Sequence, residues 1–500
     1  MLTALTIVSI FFSFLNQLVV AATFGISLER DLFFVAMVIP NYLLGVLQGS
    51  LGMLFMPKYV EEVQANGELG GTRLSMRLSF FTAALTLVIL VLYTIAGPRL
   101  NSALFGQISS EGLSLVFQLS VLLFPLVFLQ LLGGFLTTML QTKGDFFTPM
   151  SATIIGVIGS TAFIGLFGHS IGIASLIGGQ ALNVFIVLVV VSIRLAMGNR
   201  TTKGTFKNGK TRLSPLLGAS IPLAIGSVIG KTQPIIERRM SSGLPAGAVS
   251  TVATAGQIVA ILSTLVSSGV GTVVFPRLAR ESASGNLEAM NATASRALTY
   301  VFFLLSPLVA ILATSTNEFV KLVFERGAFD SRATEQVSET VMCMVGVLVF
   351  GSLGTIIAKL VYVAKPVLTG SVALLETVVF ALCCVVLVPE LGANGIALSY
   401  SLGAATSIMF SIVGLFLSEK ISRSFLKSTL RSAVMFVFMT AILSAVAETT
   451  KDLLGGQGFL QAVGIMISVG VGFLLLLYPL SEEARSFTKS AIGKIMTSLK

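Results

Sequence analysis

The sequence predicts an all-α, polytopic membrane protein with about 14 transmembrane helices, arranged as two six-helix lobes plus two C-terminal helices. Three observations predict this class. The 500 residues are 54% hydrophobic and only 11% charged, whereas soluble proteins carry about a quarter charged residues. The apolar residues form runs long enough to cross a bilayer. The sequence also contains an internal repeat, which is typical of transporters.

The apolar runs give the predicted spans in order, since about 20 residues are needed to cross the hydrocarbon core. They lie at 2–24, 32–56, 78–97, 113–140, 150–168, 171–193, 215–236, 250–275, 297–315, 337–358, 368–388, 394–417, 432–447 and 459–480. The first run has no basic residue ahead of it, so we interpret it as a retained helix and not as a cleaved signal peptide.

The repeat divides the chain into lobes. Met56-Pro57-Lys58 returns as Phe275-Pro276-Arg277, and Gly172-Ile173-Ala174 returns as Gly395-Ile396-Ala397. The offset covers six spans, an even number, so both copies enter the membrane in the same direction. We therefore expect a pseudo-twofold axis along the membrane normal.

This repeat sets the predicted domain boundaries. The N-lobe covers residues 1–197, a basic cytoplasmic linker covers 198–214, and the C-lobe covers 215–417. Residues 418–500 hold spans 13 and 14 and a cytoplasmic tail, outside the repeat.

The distribution of basic residues predicts the orientation. With the N-terminus inside, 23 of the 32 Lys and Arg residues fall in cytoplasmic segments, 8 fall in external segments, and Lys231 lies within a span. This bias follows the positive-inside rule and places both termini in the cytoplasm. It also explains the net charge of +10 by contact with the anionic inner leaflet, so we do not interpret the basic loops as nucleic-acid sites.

Several motifs resemble those of one family. They are Phe24-Gly25, Asp31-Leu32-Phe33-Phe34-Val35-Ala36, Ile39-Pro40-Asn41, Ser242-Gly243-Leu244-Pro245 and the stretch Leu322–Phe329. The chain is similar in these residues to the MurJ/MviN family of lipid-linked saccharide flippases, in the multidrug/oligosaccharidyl-lipid/polysaccharide (MOP) exporter superfamily to which the MATE transporters also belong. The resemblance implies two six-helix lobes around a V-shaped cavity, two extra helices lining a lipid groove, and a polyprenyl-pyrophosphate-linked saccharide as substrate.

The chain departs from this family in its cations. Arginines expected to face the cavity from spans 1 and 8 fall on Ile10, Asn16 and Gln257. The stretch after Asn41 lacks the expected consecutive arginines, and a glutamate expected there is Gln48. A diphosphate that leaves water needs compensating positive charge, so other residues must supply it or the substrate differs.

Span 7 offers replacement cations in Lys231, Arg238 and Arg239. An ammonium inside a bilayer is costly and usually functional. The alternatives are snorkelling or a structural ion pair for the lysine, and interfacial anchoring for the arginines. The remaining predicted substrate-binding residues are polar groups in apolar helices, for which helix–helix bonding or helix capping is the alternative: Asn16, Gln17, Gln48, Gln257 and Asp31.

Glu237 and Glu376 are the predicted cation- or proton-coupling residues, because two carboxylates can hold Na⁺ or share a proton. A pair with Arg238 is the alternative for Glu237. Family members that bind sodium in the C-lobe make Na⁺ one option that the resemblance implies. We expect no other cofactor and no firm metal site, since one His and three Cys are too few.

We therefore predict a flippase for lipid II, the peptidoglycan precursor, acting by alternating access in the bacterial cytoplasmic membrane. A flippase for an exopolysaccharide or O-antigen-type repeat unit is the close alternative, favoured by the missing arginines. A cation-coupled drug antiporter of the same superfamily is a third. We expect no enzyme activity, because the outer loops are too short for a glycan polymerase or ligase site. We expect a monomer whose partners are the lipid-linked saccharide and the bilayer.

Overall fold

A computed structural model describes residues 2–198, 228–454 and 458–480. These residues are almost entirely helical, and no β-strand occurs among them. Residues 199–214 of the predicted linker, residues 215–227 of the seventh predicted span and the predicted tail from residue 481 lie outside the described part. The all-α prediction is confirmed.

The described residues form mostly long helices, joined by short turns. These helices are α1 Leu2–Phe24, α2 Leu28–Ala36, α3 Val38–Leu47, α4 Met53–Phe105, α5 Ser110–Thr142, α6 Phe147–Ile171, α7 Ala174–Gly198, α8 Gln233–Ser241, α9 Ala248–Ala283, α10 Leu287–Phe324, α11 Ser331–Cys343, α12 Val345–Ala364, α13 Leu368–Leu391, α14 Ala393–Leu417, α15 Arg423–Leu453 and α16 Gly458–Leu480. A π-helical turn, Gln48–Gly52, joins α3 to α4.

The helices account for the predicted spans. Eleven stretches of the described residues are long and apolar enough to cross a membrane. One of them, Leu28–Phe105, contains both the second and the third predicted spans, and Leu460–Leu475 is a shorter apolar helix that matches the fourteenth. The seventh predicted span lies mostly outside the described residues. The chain is a multi-pass membrane protein, and its apolar exterior requires lipid as solvent.

The internal repeat has a structural counterpart in two turns. Gly67, ten residues after Pro57, has φ of +70°, and Gly285, nine residues after Pro276, has the same φ. Only glycine adopts this left-handed backbone at little cost. In both copies a glycine with left-handed backbone follows the proline: Gly67 kinks α4, and Gly285 lies between α9 and α10. The rotation that relates the two predicted lobes stays a prediction.

By their internal contacts the described residues form two compact units. The first comprises those within Met1–Ala253, Arg326–Ala333 and Phe380–Ile396. Its core includes Phe24, Leu32 and Phe33 from α1 and α2, packed with residues of α4 to α7. The candidate substrate residues lie in this unit, apart from Gln257.

The second unit comprises the described residues within Thr254–Glu325, Thr334–Val379 and Ala397–Lys500. In it α15 and α16, the predicted spans 13 and 14, pack on α10. Buried Ala310 of α10 meets Leu443 and Ala447 of α15 and Ile465 and Val469 of α16. Small residues at this contact bring the helices close together, as is common in bilayers.

Candidate functional site

Lys231 lies in a turn directly before α8, and its side chain is exposed. Its aliphatic stem crosses Gly45 of α3: a Cβ added to Gly45 would lie 3.0 Å from both Cδ and Cε of the lysine. Among the described residues no carboxylate pairs with Lys231. The lysine thus lies against the segment after Asn41, where the family resemblance leads us to expect arginines.

Glu237 and Arg238 form an ion pair on α8, and both are largely buried. The Arg238 guanidinium also lies 5.3 Å from the centre of the Phe34 ring, within cation–π distance. The predicted alternative for Glu237, a pair with Arg238, is therefore the arrangement observed. Burial of both partners favours a strong interaction, because the charges are poorly screened by water.

Arg239 stabilises the end of another helix. One guanidinium nitrogen, Nη1, donates to the carbonyl oxygens of Ala103 and Leu104, at 2.8 Å each. These carbonyls belong to the last turn of α4, where backbone acceptors have no partner within the helix and a cation is favourable. Its charge therefore anchors α8 to α4.

Asp31 joins α2 to the start of α9. Its carboxylate is buried and accepts hydrogen bonds from the backbone N–H groups of Gly247 and Ser250, both at 2.6 Å. The first N–H groups of a helix lack intrahelical acceptors and attract an anion. Asp31 is thus a helix cap, but of a helix more than 200 residues away in sequence and not of its own.

Arg30 is the site residue that sequence reasoning missed. Its charge and its place in a predicted outer loop suggest exposure, yet its side chain is fully buried. Its Nη1 donates to Gly25 O at 2.6 Å, and its guanidinium lies 5.4 Å from the Phe34 ring centre. Its Nε has no hydrogen-bond partner among the described residues. The available signal is its position directly before the motif Asp31–Ala36, which carries the family resemblance.

Two motifs that carry the family resemblance contact each other. Gly25 and Gly327 both have positive φ, and Ala328 N donates to Ala22 O at 2.7 Å. A Cβ on Gly25 would lie 2.2 Å from Ala328 O, and one on Gly327 would lie 2.3 Å from Ala22 O. Glycine is thus required on both sides, since any side chain would force the two backbones apart.

The predicted amide residues have different surroundings. Asn16 donates from Nδ2 to Thr161 Oγ1 at 2.9 Å, which links α1 to α6. Gln17 is half-buried on α1, and Gln48 is exposed at the π-helical turn. Gln257, in the second unit, has a buried Oε1 with no hydrogen-bond partner among the described residues. Asn16 therefore fits the alternative in which the amide joins two helices. The side chain of Gln48 is exposed.

Glu376 lies on α13 in a cavity of about 320 Å³ within the second unit. Hydroxyl-bearing residues of α12, α13 and α14 line the same cavity: Thr355, Thr369, Ser407 and Ser411. Glu237 belongs to the first unit, so the two predicted coupling residues lie in different units. Across the described ranges, no cluster of three or more His, Cys, Asp or Glu residues has metal-binding geometry.

Comparisons with known proteins show the family. The family model described as "Lipid II flippase MurJ" matches residues 20–465. A Rhizobium tropici protein named "Probable lipid II flippase MurJ" is 24% identical over 346 residues, which cover 66% of this chain and 64% of that protein. The "Lipid II flippase MurJ" of Burkholderia cenocepacia is 23% identical over 418 residues, 80% of each chain. For the Rhizobium tropici and Rhizobium meliloti relatives, the chain spans less than two thirds of their length, at 64% and 63%.

Solved structures show the same fold. A structure described as "Lipid II flippase MurJ, inward closed conformation" matches with a TM-score of 0.75 and 20% identity, covering 95% of this chain and 98% of that one. An inward-facing MATE family transporter of the MOP superfamily matches with a TM-score of 0.66 and 14% identity, covering 85% and 95%. With a family match over most of its length and this shared helical architecture, the chain belongs to the MurJ family.

Proposed function

We propose that the protein translocates lipid II, a polyprenyl-pyrophosphate-linked saccharide, from the inner to the outer face of the bacterial cytoplasmic membrane. The observation that carries this proposal is the family match over residues 20–465. The polytopic helical fold supports it, because a flippase must enclose a polar headgroup while a lipid tail stays in the bilayer. In the proposed orientation both termini are cytoplasmic and the protein acts as a monomer on its lipid-linked substrate.

Lys231 is the residue we propose for the pyrophosphate. It is exposed, it has no carboxylate partner among the described residues, and it lies on α3 beside Gly45. Its ammonium is therefore available to a diphosphate, in contrast to the guanidinium of Arg238, which pairs with Glu237. Charge-assisted hydrogen bonds to phosphate are roughly twice as strong as neutral ones.

We propose that the buried contacts around Asp31 close the predicted outer side of the first unit. Alternating access needs a closure that forms and breaks within each cycle. Here the closure consists of the Asp31 cap on α9, the arginine contacts of Phe34 and the glycine contact between Gly25 and Ala328. Because most are polar contacts, water can replace them when the outer side opens.

We propose Glu376 as the coupling residue for Na⁺ or H⁺. A single carboxylate among four hydroxyl-bearing residues supplies oxygen ligands, which alkali cations prefer, and such a carboxylate can equally take up a proton. The Glu237 carboxylate pairs with Arg238, so we propose that it positions that arginine beside Phe34.

Reconstitution tests the proposed function. Purified protein in vesicles should move fluorescent lipid II to the opposite leaflet, and the protein should sustain growth of bacteria depleted of their own lipid II flippase. Transport of an exopolysaccharide repeat unit without lipid II transport would assign the alternative substrate. Transport of neither lipid by correctly inserted protein would refute the flippase proposal.

A further inference from the structure

A cavity of about 950 Å³ with both polar and apolar walls lies in the second unit, and none of the residues discussed above lines it. Its walls come from the first turns of α10, the segment after α14 and the start of α15. The positive-inside distribution predicts that these helix ends face the cytoplasm. The cavity is therefore expected at the level of the inner-leaflet headgroups.

One residue of the cavity wall has a buried acceptor that lacks a donor. Asn291 lines the cavity and is only 6% exposed. The asparagine Nδ2 donates to Leu287 O at 2.7 Å and to Lys420 O at 3.3 Å, whereas its Oδ1 has no partner among the described residues. A buried acceptor without a donor costs free energy, so a ligand that donates a hydrogen bond would remove that cost.

The charged residues of the wall are balanced. Two acids, Glu288 and Glu419, line the cavity together with two arginines, Arg296 and Arg423. A purely anionic headgroup would face both carboxylates, and a purely cationic one would face both guanidiniums. A headgroup that carries both a phosphate and an ammonium fits this wall best, because each charge then has an opposite partner.

The backbone at Glu419 supports a specific role for its side chain. Glu419 has φ of +56° and is the one non-glycine residue with positive φ in the described part of the chain. It lies just after the end of α14, where glycine is the usual residue because it alone avoids strain. A glutamate at this position keeps a carboxylate on the cavity wall at the expense of local backbone strain.

The rim of the cavity is apolar and suits acyl chains. Phe416 and Leu417, at the end of α14, line the cavity and are 38% and 77% exposed. A soluble zwitterion would gain nothing from these side chains, whereas a lipid would bury its glycerol and first methylenes against them. The rim therefore favours a lipid over a soluble metabolite.

We propose that this cavity binds the headgroup of a zwitterionic aminophospholipid of the inner leaflet, with its ammonium on Asn291 Oδ1 and the Glu419 carboxylate and its phosphate on Arg423. The site shares no residue with those proposed for transport and does not depend on them. A bound lipid would contact the starts of both α10 and α15 and would therefore stabilise the packing of these helices in the second unit.

The test is lipid binding by the purified, delipidated full-length protein in detergent. Phosphatidylethanolamine should raise the melting temperature and remain bound in native mass spectra, and phosphatidylglycerol should bind at least tenfold more weakly. Glu419→Gln and Asn291→Leu should each weaken phosphatidylethanolamine binding about tenfold or more, as expected for loss of a charge-assisted or buried hydrogen bond. Glu335→Gln, which changes an exposed glutamate of α11, should leave binding unchanged.

Glu419→Gly separates binding from folding. Glycine relieves the positive φ, so this variant should be at least as stable as the parent without lipid while losing the response to phosphatidylethanolamine. Equal or stronger binding of phosphatidylglycerol would overturn the zwitterionic assignment. An equal stabilisation by soluble phosphoethanolamine would overturn the lipid assignment, and absence of phosphatidylethanolamine binding would overturn the site itself.

Discussion

Asp31→Asn should open the outer closure of the first unit. The aspartate accepts two hydrogen bonds of 2.6 Å, from Gly247 N and Ser250 N, at the start of α9. Asparagine has a similar shape, but it has no negative charge and only one acceptor oxygen. Its NH₂ group would point at a backbone N–H, so one donor would lose its partner.

The magnitude follows from these two bonds. A hydrogen bond to a charged group contributes about 1.5–3 kcal/mol, and the interaction of an anion with a helix N-terminus adds about 0.3–1 kcal/mol. Since asparagine retains one neutral bond of about 0.5–1.5 kcal/mol, the net loss should be about 2–6 kcal/mol. Even the lower figure changes the ratio of closed to open protein roughly 30-fold, which is enough to make the open state dominant if the closed state is favoured by less than about 2 kcal/mol.

Paired spin labels can measure this ratio. Glu29 and Ala246 are both exposed and flank the Asp31 contact, so labels on cysteines at these positions report its separation. The native cysteines, Cys343, Cys383 and Cys384, would first be replaced. In lipid nanodiscs, Asp31→Asn should shift the distance distribution to longer values and slow lipid II transport.

Asp145→Asn is the matched control. Asp145 also accepts from a helical backbone N–H, that of Thr148 at 3.0 Å, but at the start of α6 and not of α9. Removing its charge should leave the distance between labels at 29 and 246 unchanged. An unchanged distribution in a folded Asp31→Asn protein would show that the cap does not hold the outer side closed.

Four further predictions concern single residues. Lys231→Ala should abolish lipid II transport in vesicles while folding and insertion persist, and Lys231→Arg should retain part of it, because the pyrophosphate needs a cation. Gly45→Val should reduce transport while the charge is kept, because a side chain at 45 meets the lysine stem at 3.0 Å. Glu376→Gln should remove any response of transport to Na⁺ or pH, because the amide neither ionises nor binds cations as strongly. Asp145→Asn should lower the melting temperature at pH 7, and this difference from the parent should shrink as the pH falls below the ordinary pKa of an aspartate: the hydrogen bonds from Thr148 and the contact with Arg194 lower the pKa of Asp145, so its stabilisation is present above the unfolded pKa and is lost as pH falls through the folded pKa.

Matched controls exist for the first three of these. The control for Lys231→Ala is Lys58→Ala, which removes a lysine that pairs with exposed Glu61. The control for Gly45→Val is Gly134→Val, at a position of α5 where an added Cβ has no neighbour within 4 Å. Glu390→Gln changes an exposed acid on the same helix as Glu376. Each control should transport at the parental rate. Equal loss in a control and its partner variant would indicate a general defect of folding and would refute the specific role.

The helices could be predicted from sequence because a bilayer imposes a local rule. Every span must satisfy its backbone within one continuous apolar run, so length and composition suffice to find it. Two predicted spans are interrupted: α2, α3 and the turn Gln48–Gly52 break the second, and the boundary between α11 and α12 at Met344 breaks the tenth. Apolar length alone does not locate these breaks.

The roles of the charged residues could not be predicted in the same way, because they depend on partners far along the chain. The acceptors of Arg239 lie 135 and 136 residues away, and the donors to Asp31 lie 216 and 219 residues away. Burial of Arg30 likewise depends on packing that a topology count does not contain. The sequence therefore identifies these charged residues, but it does not identify the helix with which each one forms its hydrogen bonds.

The position of Lys231 connects the missing arginines to the small residue at position 45. The lysine stem occupies the space that a side chain on α3 would fill, since a Cβ there would already touch it. An arginine at 45 and a lysine at 231 would therefore compete for one volume and repel each other electrostatically. If the cation is a lysine at position 231, position 45 must be glycine to leave room for the lysine stem. If the cation is instead an arginine at position 45, position 231 must carry a smaller or uncharged residue. The two positions should thus change together, so Gly45→Arg alone should impair transport more than Gly45→Arg combined with Lys231→Ala.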